Sequence, residues 1–207
     1  NSNGNVTVYV DNIKNNVTIS ATAVKSSSAV KPTTGNGANG KIYIDRSVKT
    51  PFFVGYNSQF HPKQNLTRAE AVQLLARMTN ASGSYSLSGF TDVQVNSYYS
   101  NALSAFVYGG IVDSSTYFNP NAAITRADFV EMIYRLDTTS DYNGSNRFTD
   151  VYSTAPNAAA IAYCSDRGWV KGDPGGTFRP YDYITRAEAA AVVNRTMGRT
   201  LSSTDIS

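Results

Sequence analysis

One residue pattern occurs three times in the 207-residue chain, and it constrains the fold more than any other feature. The pattern reads LTRAEAVQLL at 66–75, ITRADFVEMI at 124–133 and ITRAEAAAVV at 184–193. A Phe-x-Pro triplet precedes each run at one fixed distance, and Phe-Thr-Asp-Val occurs at 90–93 and again at 148–151. Because these coincidences share one register, the chain is expected to be a tandem repeat of a unit about 60 residues long.

Each complete copy of the unit predicts a loop, a first helix, a second loop and a second helix. In the second copy the first helix is predicted over about 97–108, where a glycine pair at 109–110 supplies the left-handed residue that ends it. In the third copy Pro156 starts the first helix and Gly168 ends it. The second loop of the third copy, 172–176, reads Gly-Asp-Pro-Gly-Gly and is typical of tight turns.

The second helix of each copy begins with a capping box, in which a threonine caps the helix and an acidic residue three positions later reaches back to the amide of the cap. The pairs are Thr67 with Glu70, Thr125 with Asp128, and Thr185 with Glu188. The three second helices are therefore predicted within 66–78, 124–136 and 184–197. Their apolar faces suit mutual packing into a central three-helix bundle.

The copies divide the chain into five parts. Residues 1–40 alternate apolar and polar residues and then become rich in Ser and Gly, which predicts the β-like end of a preceding module followed by a linker. The first copy, 41–80, is partial because glycines replace its first helix; the second copy takes 81–139, the third 140–200, and a tail 201–207. Since the sequence does not begin with Met, we expect it to be part of a longer polypeptide.

The composition favours an extracytoplasmic location. Charged residues make up only 16% of the chain and the net charge is +3, so its polar surface consists largely of Asn, Ser, Thr, Gly and Tyr. The sequence lacks the clustered Lys and Arg residues of nucleic-acid binding proteins. It also has no apolar run that approaches the length of a membrane span. The one cysteine permits no intramolecular disulfide.

No residue set suggests an enzyme, a metal site or a cofactor. The chain has three glutamates, and two of them belong to capping boxes, so a catalytic carboxylate pair has few candidates. His61 occupies the position of Asn119 and Arg179 in the other copies, and Cys164 aligns with Phe106 on an apolar helix face. We therefore expect no catalytic or metal-binding residue, and we expect Cys164 to be a core residue.

The third copy resembles the S-layer homology family. The resemblance rests on Phe-Thr-Asp-Val at 148–151, a helix ended by Gly168, Gly-Asp-Pro-Gly-Gly-Thr-Phe-Arg-Pro at 172–180 and Ile-Thr-Arg-Ala-Glu at 184–188, and in register it covers roughly 41–199. It implies a mainly α fold in which three tandem repeats form a three-lobed spindle around the central bundle. It also implies non-covalent anchoring of a bacterial surface protein, through a secondary wall polysaccharide carrying pyruvate ketals or another peptidoglycan-linked polymer.

The resemblance further implies that the ligand sites are grooves between adjacent lobes and that the arginine of the Thr-Arg-Ala-Glu motif contacts the ligand. These motif arginines are Arg68, Arg126 and Arg186. An arginine in the first turn of an isolated helix costs about 0.3 to 1 kcal/mol, so its recurrence points to a role outside its own helix. Unpaired amides at the helix start and the planar guanidinium together suit a bound carboxylate.

The groove nearest Arg186 is the best candidate by sequence, because only the third copy retains the full second loop. Its expected lining is Trp169, Lys171, Gly172 and Asp173. A tryptophan there suits a sugar ring and a lysine suits a carboxylate. Trp169 aligns with Ile111, however, so a purely structural role in the core remains an equal alternative.

Three further alternatives stay open at this point. Each motif arginine can instead pair with a protein carboxylate, such as Asp92 or Asp150, and tie one lobe to the bundle. The grooves can bind a neighbouring subunit, which would make the module part of an S-layer lattice or another protein interface; a wall hydrolase has the least support. The sequence specifies neither the glycan nor the oligomeric state.

Overall fold

The computed structural model describes residues 42–49, 51–53, 55, 59–137 and 142–199. These residues are mainly helical, and isolated β-bridges rather than a sheet join their loops. The predicted β-like segment and linker at 1–40 and the tail at 201–207 lie outside the described residues. The helices are α1 (Arg68–Ala76), α2 (Ser100–Tyr108), α3 (Arg126–Asp137), α4 (Ala158–Asp166) and α5 (Arg186–Thr196), with a short 3-10 helix at Leu87–Gly89.

The second helices of the three copies are α1, α3 and α5, and all three lie where the capping boxes predict them. Thr67 with Glu70 and Thr185 with Glu188 form complete capping boxes. At α3 the amide of Asp128 donates to the Thr125 hydroxyl at 3.1 Å. Each threonine thus satisfies an amide in the first turn of its helix, as the sequence predicts.

The first helices of the second and third copies are α2 and α4. The glycines that follow them, Gly110 and Gly168, have φ angles of 70° and 71°, which confirms their predicted left-handed role. α2 packs against α1, and α4 packs against α3. The first helix of each copy therefore packs against the second helix of the copy before it, so the copies interlock.

The residues just before the three caps meet in a closed ring. The amide of Leu66 donates to the carbonyl of Ile184, Ile184 donates to Ile124, and Ile124 donates to Leu66, at 2.9, 3.1 and 2.9 Å. All three side chains are buried. The second helices thus come together at their N-terminal ends, whereas the three-lobed outline remains a prediction of the family resemblance.

The segment 42–49 of the partial first copy crosses the opposite ends of the second helices. The amide of Asp45 donates to the carbonyl of Met78, just beyond α1. Arg46 donates to the carbonyl of Thr196 at the end of α5 and pairs at 2.9 Å with Asp137 at the end of α3. A cation at helix C-termini is favourable, but no sequence motif marked Arg46 for this position.

One contiguous apolar core runs through the described copies. Cys164 is fully buried in it, in agreement with the sequence prediction, and burial raises the pKa of its thiol. Within the described ranges, no helix has both the length and the apolar character needed to cross a membrane.

Candidate functional site

The Phe-x-Pro triplet of each copy forms a sharp turn, which we call the corner. Its middle residue is left-handed in every copy, with φ angles of 52° at His61, 56° at Asn119 and 58° at Arg179. Left-handed backbone is uncommon outside glycine and asparagine. An arginine of the preceding copy contacts every corner, and in the second and third copies an aspartate of the same copy also holds the corner in this shape.

The aspartate belongs to Phe-Thr-Asp-Val. Asp92 accepts hydrogen bonds from the amides of Phe118 and Asn119 at 2.8 and 2.6 Å. Asp150 accepts the two equivalent amides of the third copy, both at 2.7 Å. Both carboxylate oxygens are therefore committed to the corner. This corrects the suggestion that Asp92 and Asp150 are the partners of the motif arginines.

Each motif arginine reaches the corner of the next copy, and the last one closes the ring on the first copy. Its Nε donates to the carbonyl of the corner phenylalanine, and its guanidinium lies over the same ring at 4.8 to 5.3 Å. The donor and acceptor pairs are Arg68 with Phe118 (2.7 Å), Arg126 with Phe178 (2.9 Å) and Arg186 with Phe60 (2.9 Å). We call these contacts the first, second and third junction.

A capping-box carboxylate of the next copy completes each junction. The closest approaches are Arg126 to Glu188 at 2.8 Å, Arg186 to Glu70 at 3.5 Å and Arg68 to Asp128 at 3.9 Å. The motif arginines therefore do pair with protein carboxylates, although the partners are the acidic residues three positions after the capping threonines. Glu70 and Glu188 thus each complete the capping box of their own helix and also pair with the arginine of the preceding copy.

The amides at the start of the second helices are already occupied. The first two amides of each helix donate to loop carbonyls of the next copy, and the third donates to the capping threonine. The loop carbonyls are those of Ala122 and Pro120 for α1, Asp182 and Pro180 for α3, and Gln64 and Pro62 for α5. The expectation of unpaired amides for an anion is therefore wrong, because the neighbouring copy supplies their acceptors.

The second loop of the third copy lies at the second junction, beside Arg126. Asp173 pairs with Arg179 at 2.6 Å, and Arg179 pairs at 3.1 Å with Glu188, the partner of Arg126. The contacts of Arg186 described above are with the first copy instead. The structure therefore does not bring Asp173 to Arg186, because each motif arginine points into the next copy rather than its own.

The remaining residues predicted around Arg186 have different environments. Trp169 is 7% exposed and packs in the apolar core, as the structural alternative predicts. Lys171 is exposed. Gly172 has a φ of 69°, and a Cβ there would lie 2.3 Å from the ring of Phe148, so glycine is required for packing.

A second recurrent arginine set joins the far end of each second helix to its own copy. Arg77 donates to the carbonyl of Phe52, Arg135 to that of Gly110 and Arg195 to that of Trp169, at 2.9, 3.4 and 3.4 Å. These acceptors lie in the turn before the second loop of each copy. The contacts indicate a structural role for this set.

The second junction has an additional network of charges. Arg126 and Arg179 face Asp173, Asp182 and Glu188 there. Burial lowers the pKa of Arg126, and the charge of Glu188 opposes this effect. Burial alone would raise the pKa of Glu188, but the Thr185 amide and Arg126 outweigh it, so the pKa falls below 4.5. Both guanidinium groups at this junction are therefore paired with carboxylates of the protein itself.

The first junction has fewer ionic partners. Asn119 and Ala122 occupy the positions that Arg179 and Asp182 hold in the third copy. The Arg68 side chain is 26% exposed, compared with 10% for Arg126 and 9% for Arg186. Arg68 is thus the most accessible of the three motif arginines, and it has the longest distance to its carboxylate.

Comparison with known proteins finds a family model and several relatives that match the repeated part of the chain. The model of the S-layer homology domain matches residues 89–130 and 147–190, which fall in the second and third copies. A cellulosome-anchoring protein of Acetivibrio thermocellus is 30% identical over 164 residues, 72% of this chain and 36% of that protein. An amylopullulanase of Thermoanaerobacterium thermosulfurigenes is 30% identical over 66% of this chain and 8% of its own length. A surface-layer 125 kDa protein of Lysinibacillus sphaericus is 26% identical over 68% of this chain and 12% of its own length. The chain thus spans about a third or less of these relatives.

Proposed function

This chain belongs to the S-layer homology family, and from that premise we propose that it anchors a bacterial surface protein to the cell wall by binding an anionic wall polysaccharide. The family and the names of the relatives indicate a location at the cell surface or wall. One relative is named for anchoring and another for the surface layer. Anchoring is the role that fits both names.

The relative with an enzyme name supports a non-catalytic role for the shared region. The amylopullulanase matches this chain over only 8% of its own length. An anchoring protein and an enzyme that share such a region are most simply explained by a common attachment module. Any catalytic activity would then belong to other parts of those proteins.

The accessibility of Arg68 is the observation that supports a carboxylate-bearing ligand. Because the Arg68 side chain is one quarter exposed and its guanidinium lies 3.9 Å from the carboxylate of Asp128, it can turn one edge to a ligand while its Nε keeps the bond to Phe118. Its planar donors match a carboxylate. A pyruvate ketal on a wall sugar supplies such a carboxylate, so we assign this ligand class to the first junction.

A pull-down on purified cell walls tests the proposal. The protein is mixed with walls before and after chemical removal of the non-peptidoglycan polymer, and the bound fraction is measured. We expect binding to intact walls and its loss on stripped walls. Equal binding to both would contradict the proposed ligand, and self-association without walls would favour the lattice alternative.

Two variants of α1 localise the binding. Arg68→Gln should lower wall affinity about tenfold or more, since a charge-assisted contact contributes about 1.5 to 3 kcal/mol. Arg77→Gln is the matched control, because it removes an arginine at the other end of the same helix. It should change wall affinity less than about twofold. Equal losses from both variants would contradict a site at Arg68.

A further inference from the structure

An exposed aromatic side chain stands beside the first junction in a fixed position. Tyr98 is 65% exposed, and its ring packs edge to face on Tyr99 with centroids 5.3 Å apart at 82°. Its hydroxyl lies near Thr67, the cap of α1, and near the Glu70 carboxylate. A large exposed side chain normally keeps much of its rotational freedom. The contact with Tyr99 restricts the ring of Tyr98.

The same cluster connects Tyr98 to Arg68. The ring of Tyr99 lies 5.9 Å from that of Phe118, and the guanidinium of Arg68 lies 5.2 Å over that same phenylalanine. Thr67, which lies near the Tyr98 hydroxyl, precedes Arg68 in the chain. An exposed aromatic ring and an accessible planar cation therefore both pack against one aromatic cluster, that of Tyr99 and Phe118.

This combination is particular to the first junction. In the third copy the position of Tyr98 is occupied by Pro156, and in the first copy by Gly40. The aromatic side chain thus accompanies the one motif arginine that is substantially exposed. Glu70 alone completes the capping box of Thr67, so the cap of α1 does not need Tyr98, and the pairing of the two features suggests recognition.

We propose that Tyr98 is a stacking platform for the ring of a wall sugar whose carboxylate is bound by Arg68. This inference rests on the proposed function and assigns the binding subsite to the surface between α1 and the start of α2. A tyrosine presents an apolar face with little rotational freedom to lose. The C–H face of a pyranose can cover that ring while its carboxylate reaches the guanidinium.

The platform also provides selectivity. A guanidinium alone binds phosphate as readily as carboxylate, so Arg68 by itself would not distinguish a carboxylated sugar from a free inorganic anion. An adjacent aromatic ring favours a ligand with an apolar sugar face. The site should therefore prefer glucuronate, a simple carboxylated sugar, over inorganic phosphate and over neutral glucose.

Variants of Tyr98 separate the ring from the hydroxyl. Tyr98→Ala should lower affinity for purified walls about tenfold through loss of the apolar contact. Tyr98→Phe should stay within about twofold of the unmodified protein, because the ring remains. Tyr108→Ala, at the opposite end of α2 and also exposed, is the matched control and should bind normally. If Tyr98→Ala lowers the melting temperature, Tyr98→Leu keeps the apolar bulk but lacks the flat face and should still bind less.

Competition measurements complete the test. Glucuronate, glucose and inorganic phosphate are each titrated against wall binding by the unmodified protein and by Tyr98→Ala. Glucuronate should compete best with the unmodified protein, and Tyr98→Ala should lose the preference for glucuronate over phosphate. Polymer-dependent wall binding that Tyr98→Ala and Tyr98→Leu leave unchanged would overturn the platform but not the anchoring role. Failure of the unmodified protein to bind intact walls would overturn both.

Discussion

The first and second junctions share the same backbone contacts but differ in the burial and the ion pairing of their motif arginines. In both, a motif arginine donates to the carbonyl of a corner phenylalanine, and an aspartate holds the corner amides. At the second junction Arg126 is buried and lies 2.8 Å from Glu188, within a network of further ions. At the first junction Arg68 is more exposed and lies 3.9 Å from Asp128.

This difference indicates that the same repeated contact has different roles at different junctions. The backbone contacts of the motif arginine suffice to join two copies, since all three junctions have them. Added charges then decide whether the guanidinium is fully satisfied inside the protein or retains capacity for a ligand. A recurrent motif can thus be structural in one copy and available for binding in another.

The largest expected effect is the loss of stability on removing Arg126. Arg126→Ala leaves Glu188 without its closest cation and Phe178 without the donor to its carbonyl. Breaking a largely buried ion pair in this way should cost about 2 to 4 kcal/mol. Arg68→Ala should cost about 1 kcal/mol, because its ion pair is long and partly exposed.

Thermal melts of both variants measure this comparison. For a domain of this size, about 1 kcal/mol corresponds to 2 to 4 °C, so Arg126→Ala should lower the melting temperature by about 5 to 15 °C. Equal midpoints for the two variants would mean that the charge network around Arg126 adds nothing to the backbone contact.

The corner aspartates should show no such difference between junctions. Asp92 and Asp150 accept the same pair of amides at nearly the same distances. Asp92→Asn and Asp150→Asn each replace one acceptor oxygen with a donor that faces an amide. Each should cost about 2 kcal/mol by urea denaturation, with the two values within about 0.5 kcal/mol of each other. A much larger cost at Asp150 would show that the corners themselves differ.

The second helices and their caps were predictable from the sequence because local chemistry determines them, whereas α2 and α4 begin at Ser100 and Ala158, later than the predicted starts near 97 and at Pro156. A threonine followed three residues later by an acid, then an apolar face, leaves few alternatives to a helix start. The glycines after α2 and α4 carry an equally local signal. The burial of Cys164 also followed from its place on an apolar helix face.

The connections between copies were not predictable from the same signals. Arg186 reaches Phe60, 126 residues earlier, and its acceptor is a backbone carbonyl that every residue possesses. The repeat register gives the order of the arginines and corners along the chain, but it does not predict which arginine contacts which corner. This missing link explains why Asp173 was expected beside Arg186, whereas the structure places it beside Arg179 and Arg126.

The second junction should also depend on pH. The pKa of Glu188 lies below its ordinary value of 4.5, because hydrogen bonding by Thr185 and the charge of Arg126 outweigh the effect of burial. A carboxylate with a lowered pKa stabilises the fold above its ordinary pKa, and that stability is lost as the pH falls through the folded value.

Denaturation of the unmodified protein and of Glu188→Gln at several pH values measures this contribution. The unmodified protein should be more stable by about 1 kcal/mol near neutral pH, and the difference should shrink below about pH 4. A difference that stays constant down to about pH 3 would mean that the ionised form of Glu188 contributes nothing specific.

The smallest expected effect comes from making the first junction resemble the second. Ala122→Asp places a carboxylate where the third copy has Asp182, close to Arg68, whose amide donates to the Ala122 carbonyl. Stability should change by less than about 0.5 kcal/mol, since the site is partly exposed. Wall affinity should fall about threefold, because the new carboxylate competes with the ligand for Arg68 and repels an anionic polymer.

A matched substitution at the third junction supplies the control. Gln64→Asp introduces the same charge at the equivalent position beside Arg186, whose side chain is only 9% exposed. If the accessible guanidinium of Arg68 binds the wall polymer, Gln64→Asp should leave wall affinity nearly unchanged at moderate salt. An equal loss from both variants would mean that overall charge, rather than the first junction, governs binding. A loss from Gln64→Asp alone would move the site to Arg186, the groove that the sequence first favoured.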